Sequence, residues 1–442
     1  MSLSSATAAM AEKSHNKEVK FLLEEIFFSR TDDRGVILNG NQVFHRVSGY
    51  ERSELIGAPH KLIRHPDMPK GVFWLFWDRL KAGAPIGAYV KNKSKGGGYY
   101  WVFAIASPLD DGFISVRLKP TSPILRRIKE LYSEIRQMER TTKCTAQESA
   151  EVLLQRLWEN GFSDYPMFMA HAIAEELTVR STVLGRAPDK NLANYAEMRK
   201  SLENITNLGN DILKGFGRIR TSPLNMRIKS RRMGDIAAPL TAVLTNFDAL
   251  TENIRDSIES FLCSSETALI NVNDGLFVNC SNEIQRETIN RFRPDDDPED
   301  QEATLLEAEK HNQLNVQYDK RIRVALHNIQ LETKKFFDMA VLLKRTLSGL
   351  SVTRILCQIE TARLDDSTGG INEVIAQLRE FQEITSNCLS QIEDESDRIK
   401  SNVEKISLNI KSQPNELPPL VFPRPPITVE RRSVPRTAEN RH

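Results

Sequence analysis

Apolar residues change their rhythm once along this chain. Up to about residue 121 they come in short runs broken by glycine and proline; beyond that they recur mostly at helical 3-4 spacing. In the front part, FFSRTDDRGVILNGN predicts an apolar segment, a polar turn closed by Gly35 and a short strand at Val36, Ile37 and Leu38. NQVFHRVSGY and ERSELIG read as short helices stopped by Gly49 and Gly57. WLFWDRLKAG predicts a longer helix, with Phe73, Phe76, Trp77 and Leu80 at 3-4 spacing and Gly83 just past its end. IGAYVKNK, GGGYYWVFAIASPL and GFISVRLK follow as consecutive antiparallel strands, turned at Gly96-Gly97-Gly98 and at Asp110-Asp111-Gly112. Tyr100 and Trp101 alternate on the second of these, which places one in the core and the other in solvent. The fold class expected here is an α+β domain, a curved antiparallel sheet with short helices over one face.

The rest reads as all-α. Pro123 opens a helix whose positions Ile124, Ile128, Leu131 and Ile135 form a seam leaving the sheet. Residues 146–290 read as several helices with breaks near GFSDYP, GRAPDKN and RTSPLN, and they carry no recognisable motif. RPDDDPEDQ is an acidic, proline-interrupted loop. Two long helices follow, interrupted by STGGI. The second bears Ile392, Ile399, Val403, Ile406 and Ile410, with Ser396 where an apolar residue is due, a coiled-coil-like stripe. Two such helices joined by a glycine tip predict an antiparallel hairpin. The expected organisation is a flexible N-terminus (1–19), a sensor domain (20–121), a linker helix (122–145), a helical region of unknown role (146–290), an acidic linker (291–312), the hairpin (313–412) and a proline-rich disordered tail (413–442).

Composition narrows the function classes. The 442 residues are 40% hydrophobic and 27% charged with net charge +1, which gives no electrostatic reason to expect nucleic acid or an anionic membrane as partner. No run approaches the roughly 18 apolar residues of a membrane span, and the N-terminus lacks the pattern of a secretory signal. The five cysteines are scattered, without CxxC or Cys/His spacing, so neither a disulfide framework nor a metal site is expected and a cytoplasmic location fits. No phosphate loop, GxSxG, HExxH or nucleotide-cyclase motif is present, and nothing behind His171 or His327 resembles an ATP site. An enzyme is not expected.

The stretch PHKLIRHPDMPKGVFWLFWDRL, residues 59–80, is the densest in chemistry. Arg64 carries a fork of donors suited to a diphosphate or carboxylate, and Pro66 and Pro69 stiffen the turn that holds it. Phe73 and Trp77, one helical turn apart, make an apolar wall for a flat ligand or plain core. Arg64 paired with Asp67 as a self-satisfied turn, and His65 as a cap for the next helix, are alternatives that the residues leave open.

The run from VSGYERSELIG through RHPDMP, the following tryptophan helix, KN at a strand end and G-x-YYWV resembles the PAS domain of bacterial aerotaxis receptors. The resemblance covers roughly the first quarter of the chain. It implies a PAS fold, an FAD cofactor and redox sensing, with Asn41, Arg64, His65, Asp67, Phe73 and Asn92 framing the flavin, Trp77 as added wall and Asn92 reading the ring's polar edge. Ile86, Phe103 and Ile105 depart from the family pattern, which usually has a tryptophan, an arginine and an asparagine at those places. A more aliphatic pocket is expected.

Further on, ILCQIETARLDDSTGGINEVIAQL resembles a worn chemoreceptor signalling tip. Ile359, Glu360, Ala362 and Arg363 match its IE-x-AR core, while Leu356 replaces the usual asparagine. The resemblance implies Glu360 and Arg363 as partner contacts, a chemotaxis histidine kinase and its coupling protein as partners, and a homodimer or higher assembly. A solvated i,i+3 pair on an ordinary coiled coil is the plainer reading of those two residues. The function expected is therefore a cytoplasmic signal transducer for aerotaxis or energy taxis. The alternative is a non-enzymatic scaffold that uses its PAS domain only to dimerise.

Overall fold

A computed structural model describes residues 17–219, 238–291, 298–363 and 371–412. Strands β1 (Ile26–Thr31), β2 (Ile37–Gly40), β3 (Ile86–Lys93), β4 (Tyr99–Leu109) and β5 (Gly112–Leu118) form one antiparallel sheet in the order β2-β1-β5-β4-β3. Between β2 and β3 lie α1 (Gln42–Ser48), α2 (Arg52–Leu55), a 3₁₀ turn (His60–Ile63) and α3 (Lys70–Lys81). Local chemistry sets their ends. Asn41 caps α1 by accepting from the Phe44 amide, and Gly49 closes it in the left-handed conformation that glycine adopts without penalty. Residues 17–19, read from sequence as part of a flexible terminus, are held to the sheet: Val19 N donates to Tyr99 O and Tyr99 N donates to Lys17 O.

These short helices cover one face of the sheet. The other face is covered by α4 (Pro123–Thr142) and α6 (Tyr165–Val183), while α5 (Ala146–Glu159) packs on α3. The seam of α4 does not leave the sheet, as the sequence suggested, but folds back across it. The Tyr132 hydroxyl donates to Tyr89 O at 3.3 Å, and its ring lies 6.3 Å from that of Trp101. Tyr132 takes the buried place expected of Leu131, which is half-buried. Tyr100 and Trp101 are consequently both buried, because the face expected to meet water meets a helix.

Four long helices complete the chain: α7 (Lys190–Ile219), α8 (Ala238–Ile289), α9 (Pro298–Arg363) and α10 (Ile371–Ser412). Paired residues fix their directions. Asn282 with Asp319 and Asn271 with Asn328 run α8 against α9; Lys344 with Glu393 and Arg354 with Gln382 run α9 against α10. Ser201 with Glu395 and Phe216 with Phe381 run α10 against α7, and Asn191 with Asn279 and Thr206 with Ser265 run α7 against α8. Each helix is antiparallel to both neighbours, so the expected hairpin is half of an up-and-down four-helix bundle built from one chain. The stripe Ile392, Ile399, Val403, Ile406 and Ile410 is buried in it, and Ser396 donates its hydroxyl to Ile392 O. Helix α9 begins at Pro298, well inside the span read as acidic linker; proline is well placed at a first helical turn, where its missing N–H has no partner to lose. The RTSPLN break, the acidic loop at 292–297, the glycine tip at 364–370 and the tail lie outside the described residues.

Candidate functional site

Between α3 and the sheet lies a cavity of about 350 Å³. Two periodicities build it. The helical repeat turns Phe73, Phe76, Trp77 and Leu80 of α3 inward, and the strand repeat of two presents Val90 and Asn92, Ala104 and Ala106, Ser115 and Arg117 on the facing side. The small alanines leave the room. Phe113 meets Trp77 edge-on at 5.4 Å and closes one end of the apolar wall.

Polar groups converge at the sheet side. Arg117 is 2% exposed; its Nη2 donates to Ser29 Oγ at 2.8 Å and to His60 Nε2 at 2.6 Å. Guanidinium nitrogens only donate, so His60 Nε2 accepts and its ring proton sits on Nδ1. Burial and the neighbouring Arg117 charge push the His60 pKa down to about 3, and burial brings Arg117 down to about 10. Arg117 Nη1 and Asn92 Nδ2 are buried without a hydrogen-bond partner among the described residues. The Arg64 guanidinium lies 3.7 Å over the Phe73 ring, and its backbone bridges to Asn92.

Of the residues singled out from sequence, Arg64, Phe73, Trp77 and Asn92 line this one cavity. Asn41, His65 and Asp67 do not. The Asn41 side chain is spent on backbone, accepting from Phe28 N and Phe44 N and donating to Ile26 O, and it borders a separate cavity. His65 Nδ1 accepts from Asp67 N, while Asp67 pairs with Lys91 at 2.7 Å rather than with Arg64. The lining residues His60, Ser29, Ser115 and Arg117 were missed. Alternation along GFISVRLK carried a signal for two of them, since Ser115 and Arg117 share a face.

The three departures from the family pattern do not strip the cavity. Phe103 and Ile105 are out of phase with Ala104 and Ala106, so they point to the helical side. The Phe103 ring sits 5.0 Å from that of Tyr89 and shares the space above Gly87 with Phe277 of α8. Ile86 is paired with Ala106 but is not among the lining residues. The expectation of a pocket deprived of polar groups is therefore corrected by the register.

Two buried carboxylates tie this domain to the helices. Glu139 of α4 accepts from Lys70 N at 2.6 Å and from Ser149 Oγ at 2.6 Å, at the N-terminus of α3, where the helix dipole favours an anion. Burial raises its pKa, but hydrogen bonds from Ser149, Arg136 and the Lys70 amide outweigh that and hold the carboxyl below its ordinary value. Glu176 of α6 accepts from the Tyr89 hydroxyl, the Ser122 hydroxyl and the amides of Thr121 and Ser122. It thereby joins β3 to the junction between the sheet and α4.

A family model described as the PAS fold matches residues 37–115. The aerotaxis receptor of Escherichia coli (strain K12) is 40% identical over 112 residues, which is 24% of this chain and 22% of that receptor. A light-oxygen-voltage domain of a blue-light activated histidine kinase from Erythrobacter litoralis is 15% identical, covers 21% of this chain and 90% of its own, and gives a TM-score of 0.19. A second light-oxygen-voltage domain, solved in work on a flavin analogue, is 17% identical, covers 30% and 97%, and gives 0.22. Sheet order, family match and cavity together define a PAS domain followed by long helices. The chain carries a PAS domain similar to that of the aerotaxis receptor, and it spans about a fifth of that receptor's length.

The cavity fits a flavin ring in kind: it has flat aromatic wall, buried donors without partners and room at the lower end of small-molecule sites, which run from about 300 Å³ upward. Arg64, Phe73, Trp77, Asn92 and Arg117 are the residues that would hold it. Glu360 and Arg363 lie in the last turns of α9, with side chains outside the described residues. On the same helix Val352, Ile355, Leu356 and Ile359 are exposed. Among the described residues, no helix is long and apolar enough to cross a membrane.

Proposed function

We propose that this protein is a cytoplasmic, non-enzymatic signal transducer whose PAS cavity holds FAD, senses redox state or oxygen, and passes the change to a helical bundle serving chemotaxis partners. The single observation that carries this reading is the continuity from cavity to helices. Asn92 lines the cavity on β3, and Tyr89 on the same strand donates to Glu176 of α6 at 2.7 Å. A change of hydrogen bonding at Asn92 displaces the strand that Glu176 holds, and the packed α6 and α8 respond as a unit. A flavin supplies such a change, because its ring alters its hydrogen bonding on reduction.

Output is assigned to the bundle end near residues 352–363. Exposed Val352, Ile355, Leu356 and Ile359 give an apolar patch of the kind that marks a protein contact, beside Glu360 and Arg363. The chemotaxis histidine kinase and its coupling protein are the partners this reading names, with the chain acting as a homodimer. The scaffold alternative is less well supported, since the sheet face that a dimerising PAS domain would offer is covered by this chain's own helices.

The test is the absorption spectrum of purified full-length protein before and after dithionite. Bands near those of free flavin that bleach on reduction support the reading. Protein that is colourless and takes up no added FAD removes the cofactor while leaving the fold. Co-purification of the kinase that survives both Glu360→Ala and Arg363→Ala removes the assigned tip.

A further inference from the structure

Among the described residues the buried arginines are Arg180 and Arg117, and the first is given a carboxylate. Arg180, 2% exposed, is held in a bidentate pair by Glu287 at 2.6 and 2.9 Å, and Arg30 is paired with the buried Glu307 at 2.8 Å. Arg117 is not so paired. Its hydrogen-bond partners, Ser29 and His60, are neutral; the rings of Phe27 and Phe44 lie 5.9 and 5.4 Å from its guanidinium carbon; Nη1 has no partner. No Asp or Glu lies within ion-pair distance of it among the described residues, and Arg117 lines the cavity. A guanidinium kept out of water without a counter-charge is costly, and a cavity beside it is where that charge belongs.

We infer that the cavity takes a planar ligand whose inner edge carries a negative charge, and that Arg117, oriented by Ser29 and His60, is the anion-binding residue. The inference rests on the reading of this cavity as the sensory site, and it deepens that reading by naming the charge the ligand presents. Two sources supply the same chemistry: a reduced flavin ring that has lost its N1 proton, and an aromatic carboxylate. Asn92 Nδ2 then serves as a neutral second donor to the same edge.

The experiment uses full-length protein with Arg117→Gln and Arg117→Lys. With FAD as probe, wild type is expected to bind the reduced form more tightly than the oxidised one. In Arg117→Gln that preference falls about tenfold or more, about 30 mV for a two-electron couple, while Arg117→Lys retains most of it. An unchanged preference in Arg117→Gln overturns the proposal. Should wild type take no FAD, the flavin reading fails separately, and indole-3-acetate is compared with its neutral amide by thermal shift. Stabilisation by the acid alone, lost in Arg117→Gln, upholds the anion site with a carboxylate as its source; equal shifts, or none, overturn it. Should Arg117→Gln not fold, the acid-against-amide comparison on wild type decides in the same way.

Discussion

The hydroxyl of Tyr89 and the carboxylate of Glu176 are joined at 2.7 Å, and both residues are fully buried. One is on an edge strand of the sheet, the other on a helix that touches the bundle, so this bond joins the PAS domain directly to the helices, and under the proposed function it links sensor to output. Tyr89→Phe is expected to cost about 1–2 kcal/mol, the price of one buried hydrogen bond to a charged group. Glu176→Ala strands two hydroxyls and two backbone amides and is expected to cost more, about 3 kcal/mol or above. Denaturant unfolding measures both. Hydrogen exchange in α6 on ligand addition is the functional readout: a response in Tyr89→Phe equal to wild type would mean that the link is structural only.

Gly87 is a second point of close approach. A Cβ there would meet Phe277 Cε2 at 2.8 Å and Phe103 Cζ at 2.9 Å, both rings fixed in the core between sheet and α8. Gly87→Ala is expected to destabilise by about 1–3 kcal/mol through overpacking. Adding Phe277→Leu should recover part of the loss, and a melting curve for the single and double variants checks it. No recovery would place the strain elsewhere.

Restoring the family pattern should not restore anything. Phe103→Arg with Ile105→Asn puts a charge and an amide into the buried helical side of the sheet, at an expected cost above about 3 kcal/mol. FAD uptake should not improve. A severalfold gain in affinity would show that these positions do reach the cavity.

Acid should weaken the fold through its buried histidines. His60 and His311 are both pushed down to about 3 by burial, from an ordinary value near 6.5. In the range between, the unfolded chain binds protons that the folded chain refuses. Their contribution to stability is therefore complete above about pH 6.5 and is lost as pH falls toward 3, by up to about 1.4 kcal/mol per pH unit for each ring. His60→Gln should flatten the slope between pH 6 and 4 by about one proton. A slope unchanged by that substitution would mean that His60 titrates normally.

Most of the PAS domain's elements were legible because they rest on local rules. Gly35, Gly49, Gly57 and Gly83 all adopt positive φ at the turn and helix ends where their spacing suggested stops. The cavity was half legible. Arg64, Phe73, Trp77 and Asn92 come together because each lies on an inward face of its own element. Arg117 and His60 are 57 positions apart in sequence, and no local pattern pairs them. Asn41, His65 and Asp67 have the chemistry of ligand contacts, but their hydrogen-bonding groups are already used by the backbone or by Lys91.

The sequence by itself determined the elements, their order, the PAS resemblance and the change to helical period after residue 121, since propensity, capping and amphipathic spacing act over a few residues. Only the tertiary structure decided which sheet face the helices cover, that four long helices close on one another, and that Arg117 is buried beside neutral partners. Those outcomes depend on register and on contacts between distant segments, where a shift of one strand position sends Phe103 into the cavity or away from it.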